Sequence, residues 1–194
     1  GYAQSMGELF APMSAIAAKN PFSAAPTERT AAELITPSES NRVVAEPYTR
    51  LIVARDQVNQ AAACIVMSIA TARQLGIAVD RWVFLHGHAS LREQSLMRRR
   101  DLSRGPASVA ALRHALDVAD VSLDDVPYLD LYSCFPIAVS NICEAFGLDA
   151  DDPRGLTVTG GLPFFGGPGN NYSMHAIAEI VERVRRDPGS RGLV

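Results

Sequence analysis

The sequence predicts an α/β fold in which strands and helices alternate and pack in layers. Three observations carry that expectation. Short runs of β-forming residues recur after residue 60, at 81–89, 126–133 and 155–161. Each is followed by a run of helical period, at 107–120, 135–148 and 171–186. Turn-forming glycine and proline separate these runs, as at Gly105-Pro106, Gly147 and Asp187-Pro188-Gly189. The chain has 194 residues, 47% of them apolar and 20% charged, enough for one full core or two small ones.

Taken in order, residues 5–19 place Met6, Leu9, Phe10, Met13, Ile16 and Ala17 at helical spacing. Pro12 is expected to break or kink that helix. Residues 21–50 hold four prolines and read as loop, except that Thr30 followed by AAELI marks a short helix ending before Thr36-Pro37. QAAACIVMSIATARQLGI, from Gln60, is a buried helix or a strand feeding a helix, which periodicity does not separate. RWVFLHGHA, 81–89, reads as a strand, and residues 90–104 as a charged, exposed loop. Val109, Leu112, Ala115, Leu116 and Ala119 form the buried stripe expected of the helix after Gly105-Pro106. VPYLDLYS and GLTVTGG are the next two strands, each leading to a helix. RGLV begins a further strand where the sequence stops, so the chain reads as truncated. The expected organisation is a connecting segment over 1–58 and an α/β domain over 59–194.

Composition narrows the function. A net charge of −3 gives no signal for nucleic acid or an anionic membrane as partner. No apolar run reaches the roughly 18–20 residues that span a bilayer, and the N-terminus does not have the pattern of a signal peptide. Three cysteines, Cys64, Cys134 and Cys143, argue for reduced thiols and a cytoplasmic setting. With neither CxxC nor HExxH, no metal site is expected.

Three stretches lie where an α/β fold places ligands, at strand ends facing helix starts. In LHGHAS, His86 and His88 read as a surface pair. In DLYSCFP, Cys134 is either packed or activated by the helix N-terminus behind it. Tyr132 supplies a phenol able to donate a hydrogen bond or exchange a proton. GGLPFFGGPGNNYSMH, 160–175, is glycine-rich and runs into a helix. Its backbone either presents N–H groups to a ligand or turns a corner. Gly160, Gly161, Gly166, Gly167, Pro168 and Asn170 are the binding candidates there. His175 sits in the first helical turn, where the helix dipole favours its neutral form. The run Arg98-Arg99-Arg100 reads as a solvated loop or a contact for a phosphate-bearing cofactor.

NPFSAAPTERTAAELITPSESNR, VAEPYTRLIVARDQVNQAAA, DLYSCFP and GGLPFFGGPG, in that order and spacing, resemble the C-terminal half of the thiolase superfamily. The resemblance is to bacterial thiolase-like acetyl-CoA acetyltransferases related to the sterol-carrier-type thiolases, and it covers nearly the whole chain. It implies a mixed sheet with helices on both faces, plus part of the family's loop domain. It also implies a coenzyme A thioester as substrate with no tightly bound cofactor. The partner implied is the other thiolase half, or a second copy of the chain. DLYSCFP matches the family's His-Asp-Cys-Phe or Asn-Glu-Ala-Phe motif, with Tyr132 at the position that handles a water. GGLPFFGGPG matches its Gly-His-Pro motif, with Gly167 where the histidine belongs. The resemblance thus implies acyl transfer or carbon–carbon bond chemistry with altered machinery. A retro-aldol lyase using Tyr132 and a non-catalytic thioester-binding homologue are the alternatives.

Overall fold

The computed structural model describes residues 1–194. The first helix, α1 (Tyr2–Lys19), runs unbroken through Pro12. The expected break does not occur, because the stripe Met6, Leu9, Phe10, Met13 and Ala17 is buried along the whole length and holds both halves in one line. Thr30 opens α2 (Ala31–Ile35) with a reciprocal cap: its hydroxyl accepts from Glu33 N, and the Glu33 carboxylate accepts from Thr30 N. A small antiparallel pair follows, β1 (Val43–Ala45) with β2 (Tyr48–Thr49). Asn41 fastens this pair to α2, donating to the carbonyls of Glu33, Leu34 and Thr36 and accepting from Leu51 N.

Beyond residue 58 the expected helices appear: α3 (Ile69–Gln74), α4 (Pro106–Ala119), α5 (Pro136–Phe146) and α6 (Tyr172–Arg186). Proline in the first turn starts α4 and α5, and Gly147 closes α5. The predicted stripe of α4 is the side turned inward, with Leu116 its buried member. The apolar run from Gln60 is helical only over α3 and carries no regular structure before it; it is not buried as expected, since Ile65 and Val66 face solvent with no element packed over them.

The strands depart most from expectation. Of 126–133, only β3 (Tyr128–Leu129) pairs as a strand, in parallel with β4 (Gly192–Leu193), the strand foreseen in RGLV. Residues 81–89 are not a strand. Phe84 and Leu85 are exposed, and the Trp82 indole instead donates to the carbonyl of Ile77. Nor is 155–161 a strand. Only Leu156 O reaches β3's neighbourhood, accepting from Leu131 N, while the N–H groups of Val158 and Thr159 turn onto a side chain, that of Asp130. The α/β class holds, with helices around small two-stranded sheets.

One large core joins α1, α2, α4, α5 and the β3 segment through Phe10, Met13, Leu34, Leu129, Val139 and Phe164. A second, smaller cluster of Leu162, Phe165, Tyr172 and Ala176 lies between the glycine-rich loop and α6, with Cys134 packed on its edge. None of the helices is long and apolar enough to cross a membrane.

Candidate functional site

The second cluster is built around a carboxylate that the sequence did not single out. Asp130 follows directly on β3 and is 1% exposed. Its Oδ2 accepts from Thr157 Oγ1 at 2.7 Å and from Val158 N, Thr159 N and Thr159 Oγ1 at 3.0 Å each. Its Oδ1 accepts from the Tyr172 hydroxyl at 2.6 Å. Burial pushes the Asp130 carboxyl up from its ordinary range, and the donors of Tyr172, Thr157, Thr159 and Val158 pull against that rise. Burial, reinforced by the charge of Asp130, holds the Tyr172 phenol well above its usual value. The knot ties three parts of the chain together: the end of β3, the loop before the glycines and the first turn of α6. The signal for it was an acidic residue inside an apolar run, LDLY, which a half-buried strand keeps only when the charge has partners.

The glycine-rich loop grows out of this knot. Gly160 N donates to Thr157 Oγ1 and Gly161 N to Thr159 Oγ1. Leu162 N donates to Ser133 Oγ at 2.9 Å, and Gly167 N to Arg55 O at 2.9 Å. Gly160 has φ +113°, and a β-carbon there would lie 2.6 Å from the backbone Cα of Ala17 in α1. The loop therefore turns a corner against α1. Of the N–H groups proposed from sequence as a ligand cradle, those of Gly160, Gly161 and Gly167 are spent inside the protein. Pro168 is partly exposed and Asn170 is exposed at the outer end of the loop, while Gly166 is buried beside Gln60.

Gly167 itself is buried, and a β-carbon on it would lie 2.8 Å from Leu162 Cδ2. The room a larger side chain would need at this position is taken by leucine. His175 is buried on the other side of α6's first turn, its ring 5.3 Å from that of Phe165. Asn171 Nδ2 lies 3.1 Å from His175 Nε2, and an amide N–H given to that nitrogen requires the neutral imidazole. Burial lowers its pKa in the same sense.

Tyr132 is the side chain that this assembly offers to solvent. Asp130 and Leu131 are buried, and the next residue turns outward at 49% exposure. Its ring meets that of Tyr172 edge to face at 5.9 Å, so the exposed phenol stands on the buried one. Partial burial, and after it the neighbouring thiol of Cys134, raise the Tyr132 pKa. Burial also raises the thiol of Cys134, outweighing the N–H groups at the start of α5 that favour the thiolate. The structure thus brings Tyr132, Cys134 and the glycine-rich loop together, with both titratable groups in their protonated forms at neutral pH. His86 and His88 are exposed on the irregular segment after Trp82, and Arg98 to Arg100 lie on the charged stretch that follows.

Solved structures share this architecture, two of them as follows. The first is the crystal structure of a monomeric SCP2-thiolase like protein type 1 (STLP1) from Mycobacterium smegmatis. It is 57% identical, matches over 98% of this chain and superimposes with a TM-score of 0.93. The chain spans 42% of the length of that protein. The second is an Ltp2-ChsH2(DUF35) aldolase, 18% identical, matching 95% of this chain and 51% of that one with a TM-score of 0.68; the likeness is one of fold. A scan against protein-family models and a search of curated proteins gave no match.

Proposed function

This chain belongs to the thiolase superfamily, among its sterol-carrier-type thiolase-like members, and from that premise we propose that it contributes to a site for acyl-CoA thioesters in which the Tyr132 phenol is the polar group facing the substrate. The observation that carries the reading is the mounting of Tyr132. A half-exposed phenol rests on Tyr172, which is fixed by Asp130. Its raised pKa keeps the proton on, so at neutral pH it donates a hydrogen bond to an acceptor such as a thioester carbonyl.

Acyl transfer by the usual thiolase route asks for a thiolate and a base at the Gly-His-Pro position. Here Leu162 fills the space beside Gly167, where that base would need room. A protonated donor stabilises the developing enolate oxygen of carbon–carbon cleavage and equally the tetrahedral oxyanion of acyl transfer, so Tyr132 fits either reaction. The structurally similar Ltp2-ChsH2(DUF35) protein is an aldolase, a likeness of fold that is compatible with the cleavage reading. The remainder of such a site comes from the other thiolase half or from a second copy of the chain.

The test is calorimetric titration of the full-length protein with acetoacetyl-CoA, in parallel with thiolysis and 3-hydroxyacyl-CoA cleavage assays on its wild type and Tyr132→Phe. Saturable binding that weakens about fivefold or more in Tyr132→Phe, equivalent to loss of one hydrogen bond of about 1 kcal/mol or more, supports the reading. Absence of saturable binding removes the thioester assignment. Equal affinities remove the role of Tyr132, and thiolysis by the wild type reinstates acyl transfer.

A further inference from the structure

Two stretches of main chain in this protein bond to no other main-chain group, residues 59–67 and residues 83–93. Both carry strand-forming runs, Cys64-Ile65-Val66-Met67 and Val83-Phe84-Leu85. Neither finds a sheet, since β1 pairs only with β2 and β3 only with β4. An apolar stretch whose N–H and C=O groups stay unpaired is an open strand edge, which folded proteins cover or blunt. Nothing blunts these two: neither 59–67 nor 82–91 holds a proline, lysine, arginine, aspartate or glutamate.

The stretches are nevertheless held in place on one side. From Val58 to Ile65 the residues alternate between partly buried and exposed, the two-residue period of a strand lying with one face on the protein. The Gln60 amide fixes that inner face, donating to Phe22 O at 2.7 Å and to Phe165 O at 2.8 Å. Residues 82–89 rest on α4, where Gly87 comes so close that a β-carbon on it would run into the Ala115 carbonyl. At the start of this stretch Arg185 Nε, from α6, donates to Arg81 O at 3.0 Å. The outer sides present Ile65, Val66, Phe84 and Leu85, all exposed.

Length indicates what covers this surface. The solved STLP1 structure is that of a monomer, 57% identical to this chain, which matches 42% of its length. A monomer has no second copy to lay on such a surface, so in that protein only residues outside the match are left to cover it.

We propose that residues 60–67 and 82–89 form the interface with the remainder of a longer polypeptide, which pairs with them main chain to main chain and lays apolar side chains over Ile65, Val66, Phe84 and Leu85. Within residues 1–194 these side chains bury little, and their covering belongs to the longer polypeptide. The assignment uses neither Tyr132 nor a thioester, so it stands or falls apart from the thioester reading.

The experiment is hydrogen exchange followed peptide by peptide in the full-length protein, with its molar mass taken by light scattering. A monomer is expected, in which the amides of 61–67 and 83–89 exchange about a hundredfold or more slower than those of an unstructured peptide. Exchange at the unstructured rate overturns the proposal, and so does protection that arises only as a dimer forms. The occupant is read by photo-cross-linking from Val66→p-benzoylphenylalanine and Leu85→p-benzoylphenylalanine, two separate variants of the full-length protein, either of which serves if the other does not fold. A cross-link within one molecule to a peptide outside residues 1–194 is expected. A cross-link between two molecules, one confined to residues 1–194, or none at either position overturns the assignment.

Discussion

Residues 59–104 and residues 126–186 are both rich in apolar and β-forming side chains, yet they end in opposite states. In the second stretch Leu129, Val139, Leu162, Phe165 and Tyr172 are buried. In the first, Ile65, Val66 and Met97 are 85%, 91% and 93% exposed, and regular structure is confined to α3 and two short 3-10 turns. Hydrophobicity does not separate them. What the second stretch has is Asp130, which accepts from two backbone N–H groups and from hydroxyls of Thr157, Thr159 and Tyr172, and so draws a loop and a helix onto the strand end. The first stretch has no comparable cross-link, and its β-formers have no neighbouring strand to pair with. A β-forming run becomes a strand only where its backbone groups find a partner.

Breaking the knot should erase much of that contrast. Asp130→Ala strands the N–H groups of Val158 and Thr159 together with the Tyr172 hydroxyl in the interior, and should cost about 3–5 kcal/mol, read from urea unfolding. A loss below about 1 kcal/mol would show that the carboxylate is incidental to the fold. Asp130→Asn keeps an acceptor for the backbone donors and should lose clearly less than Asp130→Ala.

The next effect belongs to the corner that the loop makes on α1. Gly160→Ala sets a β-carbon against the Ala17 backbone at φ +113°, and is expected to cost about 2–4 kcal/mol by the same measurement. Wild-type stability in that variant would mean that α1 and the loop slide apart freely. Tyr172→Phe removes one hydroxyl from the carboxylate and from Thr159, and should cost about 1.5–3 kcal/mol. It should also loosen the platform beneath Tyr132, visible as a change in the tyrosine near-ultraviolet dichroism.

The exposed stretch sharpens the contrast from the other side. Val66→Ser and Met97→Ser, at positions that bury almost nothing, should each shift stability by no more than about 0.5 kcal/mol. A larger loss would place these side chains in a contact of the folded chain. The smallest effect is one of pH. His175 has its pKa lowered by burial, so the folded protein favours the neutral ring. That contribution is full above the ordinary histidine pKa of about 6.5 and fades as pH falls through the interval down to the folded value. The urea midpoint should therefore drop between about pH 7.5 and 5.5 by more in the wild type than in His175→Gln, and equal drops would assign the titration elsewhere.

Much of the fold was legible in the residues. Proline in the first turn of α4 and α5, Gly147 after α5, Asp187-Pro188-Gly189 after α6 and stripes at helical spacing placed these three helices within a residue or two. These are local signals, and a helix satisfies its own backbone. The order of DLYSCFP and GGLPFFGGPG likewise pointed to the superfamily to which the chain belongs. The strands were less legible because pairing is a relation between distant segments, and TVTGG, which reads as a strand, spends its N–H groups on a side chain instead. For the site, the sequence named Tyr132, Cys134, Gly167 and His175 but passed over Asp130, because the one trace of it, an acidic residue within LDLY, does not say which donors, 27 to 42 positions later in the chain, fold onto it.

Residue order alone thus indicated α4, α5 and α6 to within a residue or two and the order of motifs that points to the superfamily. Long-range contact settled what those motifs became. The glycine-rich loop is a corner fastened to α1 and Asp130, Leu162 fills the space beside Gly167, and Tyr132 is the phenol left facing solvent. The physical reason is that capping and periodicity act within a few residues, whereas burying a charge requires donors gathered from across the chain.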